Sequence, residues 1–233
     1  MNRKGIRGAT GAATGTLSAN EEEKRLLEKL REGGEGRLQA LWDLARFYSL
    51  CARPAAAFPY IEESLSLATE PEMKASALLA AGQLMEQIGD YAAALSFYAR
   101  GLEVGPSDPQ VRYLLENNSG YCLNRTGRYA EAERHCREAI TWNPHRYNAY
   151  KNLGVSAEGQ GRFDEAARAY ICATIANPFD LRAYRRLERL LAAHTEVASE
   201  NADIVKHARY CWETVMMLWG TRTPHDTPFQ ERS

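Results

Sequence analysis

Two stretches of the chain repeat each other at a distance of 34 residues: "GYCLNRTGRYAEAERHCREAITWNP", from Gly120, and "GVSAEGQGRFDEAARAYICATIANP", from Gly154. Each has a Gly-Arg-aromatic triplet seven residues after its first glycine (Gly127-Arg128-Tyr129, Gly161-Arg162-Phe163) and a small residue twelve after it (Ala132, Ala166). Ala139 and Ala173 follow, then a closing Pro144 or Pro178. An earlier copy starts at Gly82, with Gly89-Asp90-Tyr91, Ala94, Tyr98, Gly101 and Pro106; it lies 38 residues before Gly120, so four residues are inserted around Ser107 to Gln110. A fainter copy starts at Ala45, with Tyr48, Ala57 and Ile61, and carries Ala52 and Thr69 where the others have the turn glycine and the proline. A period of roughly 20–50 residues marks a unit that cannot cover its own apolar face and must stack on its neighbours.

Within each unit apolar residues recur at three and four, which predicts two amphipathic helices. Gly89, Gly127 and Gly161 stand where the first helix must turn through a left-handed conformation, and the prolines stop the second helix. Small residues let two helix backbones approach, with Tyr98 and Tyr170 filling the space beside them and Cys136 in the same slot of its own unit. This pattern resembles the tetratricopeptide repeat over about residues 38 to 180. The resemblance implies an all-α protein: a right-handed α-solenoid of helix-turn-helix repeats with a C-terminal capping helix pair.

The expected organisation is a disordered segment over 1–17, then an N-terminal helix and glycine-rich loop over 18–36. Ser18 and Glu21 have capping-box spacing there, and Leu26, Leu27 and Leu30 form an apolar stripe. Four repeats follow over 37–180 (about 38–71, 75–108, 113–146 and 147–180), then a degenerate repeat over 181–220 and a flexible tail over 221–233.

The 29 Lys and Arg against 30 Asp and Glu leave no global field to draw in nucleic acid or an anionic membrane, so any electrostatic recognition is local. No stretch is apolar enough for a membrane span, and the first residues lack the apolar centre of a secretory signal, which predicts a cytoplasmic protein. Five scattered cysteines (Cys51, Cys122, Cys136, Cys172 and Cys211) are read as reduced, mostly buried thiols. His135-Cys136 and His207 with Cys211 lack the paired spacings of a zinc site, and Gly5, Gly8 and Gly11 lack the strand and lysine of a phosphate loop. With no nucleophile beside a base, the chain reads as noncatalytic and without a cofactor.

The resemblance further implies that the first helices line a groove, with four positions per unit pointing into it. These are Gln39, Trp42, Asp43 and Arg46, then Ser76, Leu79, Ala80 and Gln83. The third unit supplies Leu114, Asn117, Asn118 and Tyr121, with Asn124 at the edge, and the fourth Asn148, Lys151, Asn152 and Val155. The fifth supplies Arg182, Arg185, Arg186 and Arg189, although Glu188 stands at its small-residue place. Four arginines at i, i+3, i+4 and i+7 share one helix face and repel each other unless an anion arrives. Asn152, Arg182 and Arg186 match the carboxylate clamp of some tetratricopeptide domains, whereas Asn117 and Tyr121 depart from it. The expected partner is therefore a protein or peptide segment, acidic or ending in a carboxylate; the alternative for the arginines is a solvated face balanced by Glu158 and Glu188. A second surface, the apolar helix within 204–219 with Tyr210, Trp212, Met216, Met217, Leu218 and Trp219, either packs on the preceding pair or docks a partner or a second copy of the chain, the latter making the protein a self-assembling homo-oligomer.

Overall fold

The computed structural model describes residues 18–220, apart from the side chains of 35 and 218–220; the disordered segment and tail expected over 1–17 and 221–233 lie outside the described residues. The described chain is all helix. Helix α1 (Ala19–Glu32) starts with the expected capping box, in which Ser18 accepts from the Glu21 backbone N–H and Glu21 accepts from that of Ser18. Successive helix pairs follow: α2 (Arg37–Leu50) with α3 (Pro54–Leu67), α4 (Pro71–Ile88) with α5 (Tyr91–Glu103), α6 (Pro109–Arg125) with α7 (Tyr129–Trp142), and α8 (Tyr147–Gly159) with α9 (Phe163–Ala176). Helix α10 (Leu181–Ala193) opens a fifth unit, closed by a short α11 (Thr195–Glu200) and a long α12 (Ala202–Gly220). The second helix of that unit is thus broken in two, where the sequence reading has a single one starting at Ile204. The four inserted residues before Gly120 become helix: α6 starts eleven residues ahead of Gly120, α8 only seven ahead of Gly154, so the insertion adds about one turn to the first helix.

The second, third and fourth pairs are each set by one contact. A Cβ on Gly82 would lie 2.3 Å from the Tyr98 ring, one on Gly154 2.5 Å from the Tyr170 ring, and one on Gly120 2.6 Å from the Cys136 sulfur. Only a bare backbone lets the second helix come this close, and it allows Tyr98 and Tyr170 to be fully buried. The turn glycines take φ of +88° at Gly89, +76° at Gly127 and +74° at Gly161, as their positions require. In the first unit Ala52 takes that place at φ +55°, a left-handed conformation that costs an L-residue about 1–2 kcal/mol.

Units are tied by core and by polar groups. Leu26 of α1 joins Leu44, Tyr48, Ala57 and Ile61 under the first pair, and at the other end Val205 and Ala208 of α12 pack with Ile171, Leu187, Leu190 and Val197. Glu72 at the start of α4 accepts from the Ser107 hydroxyl at 2.6 Å and from the backbone N–H groups of Ser107 and Asp108, fixing the α5–α6 loop. Glu133 of α7 accepts from Arg162 and, at 3.0 Å, from Gln160, joining the third unit to the fourth. Of the five cysteines only Cys122 and Cys136 are buried; Cys51 is exposed in the turn after α2 and Cys172 on an outward position of α9, which corrects the expectation of mostly buried thiols.

Two substitutions test this packing in urea denaturation. Gly154→Ala forces Tyr170 to move and is expected to cost about 1–3 kcal/mol, while Gly36→Ala, at φ −82° with open space around the new Cβ, is expected to leave stability within about 0.5 kcal/mol. Equal effects would contradict the close-approach account.

Candidate functional site

The first helices of successive units lie side by side, α4 against α6 and α6 against α8, and line one face of the stack. Two hollows open on it. The first, of about 570 Å³, is bordered by Trp42, Arg46, Gln83, Glu86 and Asn118 from α2, α4 and α6. The second, of about 870 Å³, lies between α6, α8 and α10 and takes in Tyr121, Lys151, Glu158 and all four arginines of α10, with Tyr129 at one side. Asn118 and Tyr121, neighbours across one turn of α6, stand on the ridge between them.

The three asparagines 117, 124 and 152 lie beneath this surface, only 7%, 9% and 4% exposed. Asn152 Nδ2 donates to Asn117 Oδ1 at 3.1 Å, Asn124 Nδ2 donates to the Asn152 carbonyl at 2.8 Å, and Ser156 donates to Asn124 Oδ1 at 2.9 Å. Asn117 Nδ2 in turn donates to Asn118 Oδ1 at 3.0 Å. A buried amide must find such partners or lose about 1–3 kcal/mol, so this chain of bonds braces α6 against α8. The structure therefore places these three in the floor, while Trp42, Arg46, Gln83, Asn118, Tyr121, Asn148 and Lys151 reach the surface.

The second hollow is strongly polarised. Six basic side chains line it, Arg125, Lys151, Arg182, Arg185, Arg186 and Arg189, against one carboxylate, Glu158. Arg182 is gripped by Asp180, with its Nε and Nη2 at 2.9 and 2.7 Å from the two carboxylate oxygens, and its Nη2 also approaches the Tyr147 hydroxyl at 3.4 Å. Arg186 reaches Glu158 at 3.5 Å. Arg185 and Arg189 have no ion pair among the described residues, and Glu188 turns instead to Arg209 of α12 at 3.0 Å. Burial, reinforced by the guanidiniums of Arg182 and Arg186, brings the Lys151 ammonium down to about 8. It donates to Asn148 Oδ1 at 3.4 Å, a neutral group.

Sequence reasoning missed Asp180, which holds Arg182, and Glu86, which lies under the first hollow. Glu86 was legible: Glu86 and Glu158 each follow a first-helix glycine by four residues, and Tyr98 and Tyr170 follow it by sixteen. The buried tyrosine hydroxyls donate to these carboxylates, at 2.9 Å from Tyr98 to Glu86 and 2.5 Å from Tyr170 to Glu158. The cysteines carry no such chemistry: burial pushes the thiols of Cys122 and Cys136 up to about 12, far from a reactive thiolate. No group of three or more His, Cys, Asp or Glu among the described residues is arranged to hold a metal ion, and no described helix is long and apolar enough to cross a membrane.

Comparison with known proteins agrees with this architecture. Residues 75–115 and 123–196 each match a family model described as tetratricopeptide repeat. The chain is a tetratricopeptide-repeat protein. It is similar to the TPR repeat-containing thioredoxin TTL4 of Arabidopsis thaliana, with 32% identity over 118 residues, covering 50% of this chain and 17% of that protein. It is also similar to the small glutamine-rich tetratricopeptide repeat-containing protein 2 of Mycosarcoma maydis, with 27% identity over 130 residues, covering 56% and 35%. The chain thus spans about a sixth to a third of the length of these curated relatives. Among solved structures, MamA 41-end from Desulfovibrio magneticus RS-1 superposes with a TM-score of 0.59 at 18% identity, over 83% of this chain and 99% of that one. YrrB superposes with a TM-score of 0.57 at 20% identity, over 72% and 84%. These likenesses establish the fold: tetratricopeptide repeats stacked as an α-solenoid.

Among the described residues the last helix is covered on one side only. Trp212 stacks on Tyr184 of α10 with ring centroids 4.5 Å apart, and Val205 and Ala208 are buried, but Tyr210 and Met217, two turns apart on one face, are 66% and 72% exposed.

Proposed function

We propose that this protein binds an acidic segment of a partner protein, its carboxylates seated in the hollow between α6, α8 and α10. One observation carries the reading: six basic side chains line the hollow against a single carboxylate, and the half-buried Lys151 ammonium among them makes no ion pair among the described residues, the nearby Asp180 being paired to Arg182. An incoming carboxylate pairs with the half-buried Lys151 and with the solvent-exposed Arg185 and Arg189, each charged hydrogen bond contributing about 1.5–3 kcal/mol where the bound segment shields it from solvent. Arg182 and Arg186, the two that match a carboxylate clamp, are already held by Asp180 and Glu158, which shifts the ligand-facing role to the opposite edge of α10. YrrB, whose fold this chain shares, is a tetratricopeptide-repeat protein with an unusual peptide-binding site. The chain's own role in this reading is that of a noncatalytic cytoplasmic adaptor.

The test is a binding titration with an N-acetylated octapeptide of alanine, aspartate and glutamate ending in a free carboxylate. Arg185→Ala/Arg189→Ala is expected to weaken binding at least tenfold, the worth of about 1.4 kcal/mol. Affinity is expected to hold constant up to pH 7 and to fall by about tenfold as pH rises through 8 and beyond. Free Lys151 sheds its proton there, whereas bound Lys151 keeps it, and one unit of pKa difference is worth that factor. Unchanged affinity in the double variant would contradict the proposal.

A second reading rests on the exposed Tyr210 and Met217: a copy of the chain docks on α12 to form a homo-oligomer. Sedimentation velocity decides it. Self-association that disappears in Tyr210→Glu/Met217→Glu supports this reading, and a monomeric native chain at 100 μM or so excludes it.

A further inference from the structure

The two hollows contain the same internal pair in different electrical states. In the fourth unit Tyr170 donates to Glu158, and Arg186, two residues before the fifth unit's small-residue position, meets that carboxylate at 3.5 Å. In the second unit Tyr98 donates to Glu86, but the corresponding place on the next first helix, two residues before Gly120, holds Asn118. The cation that balances Glu158 is therefore replaced by a neutral amide above Glu86.

Among the described residues nothing else supplies the missing charge. Glu86 lines the first hollow, accepts from the Tyr98 hydroxyl at 2.9 Å and lies 3.9 Å from the Cys122 thiol, and forms no ion pair among the described residues. Burial pushes its carboxyl above the usual range against the pull of those two hydrogen bonds. The basic side chain on the rim, Arg46, leans toward Asp43 at 3.8 Å and is mostly in solvent. Around Glu86 stand Trp42, Ser76, Gln83, Gln87 and Asn118, which can surround a chain of methylenes and a charged head without adding charge of their own.

We infer that the first hollow receives a lysine or arginine side chain of the bound segment, its cation resting on Glu86 as the Arg186 guanidinium rests on Glu158. This rests on the groove reading above and adds an order to the ligand: a basic residue over α4 and an acidic end over α8 and α10. Neighbouring packed helices are about 8–10 Å apart, so α4 and α8 are separated by about 16–20 Å. At roughly 3.3 Å per residue the cation and the terminal carboxylate stand about five or six residues apart in an extended segment.

The experiment uses the full chain and two N-acetylated heptapeptides with a free C-terminus, alanine in the middle and glutamate and aspartate at the last two positions. One starts with lysine and the other with norleucine, which has nearly the same length without the charge. The native protein is expected to bind the lysine peptide about tenfold more tightly. Glu86→Gln keeps an acceptor for the Tyr98 hydroxyl and is expected to make the two affinities equal. Asn118→Arg, which supplies from within the cation that Arg186 supplies to Glu158, is expected to abolish the preference as well. Equal binding of both peptides by the native protein, no binding of either, or a preference that survives in Glu86→Gln overturns the inference. Amidating the C-terminus and replacing the last two residues by glutamine and asparagine separates the two readings. If this change leaves affinity unchanged while the lysine preference persists, the acidic-end reading fails and this one stands; if it weakens binding and no lysine preference exists, the reverse holds.

Discussion

Everything in this solenoid depends on how closely the second helix of a unit can approach the first. At Gly82 and Gly154 the approach leaves no room for a Cβ, and the space is taken by the rings of Tyr98 and Tyr170. A buried tyrosine contributes apolar area to the core and also carries a hydroxyl that needs a partner. The same glycine therefore fixes both the packing and the chemistry at the base of the groove, because the hydroxyl finds Glu86 or Glu158 one turn further along the first helix.

The third unit breaks the rule in an instructive way. Cys136 fills the aromatic slot and has no hydroxyl to present, and Asn124 replaces the glutamate. Relieved of a tyrosine, Asn124 reaches across to Asn152 and Ser156 and joins Asn117 in holding α6 to α8. The middle of the groove is thus neutral and braced, with a lone carboxylate under the hollow on one side and an excess of arginine in the hollow on the other. Ordered charge along a groove selects ligands by sequence direction as well as by composition, since a reversed segment places like charges together.

Much of this was legible in the sequence. The 34-residue period, the turn glycines and the small-residue positions led to the helix pairs because each rests on a local steric requirement. Steric rules are read from residue type alone: Gly127 and Gly161 had to turn left-handed, and Cys136 had to sit where tyrosine sits elsewhere. Polar partners are different, since they depend on which side chains three-dimensional packing brings within about 3 Å. Asn117, Asn124 and Asn152 occupied groove positions by register yet bond to one another below the surface, and Arg182 looked free until Asp180, just ahead of α10, closed on it. The short α11 was also hidden, because its six residues bury a single apolar side chain, Val197, and the polar Ser199-Glu200-Asn201 then interrupts the apolar periodicity before Ile204.

The most direct measurement of the central claim, that the face built by the first helices is the recognition surface with its basic end at α10, is the backbone amide NMR spectrum of the isotopically labelled chain titrated with an acidic peptide. The account predicts that shifts concentrate at Tyr121, Lys151, Arg185 and Arg189 on α6, α8 and α10, with Tyr210 and Met217 of α12 unmoved. Shifts confined to α12, or to the outer helices α7 and α9 with the inner ones silent, would contradict it.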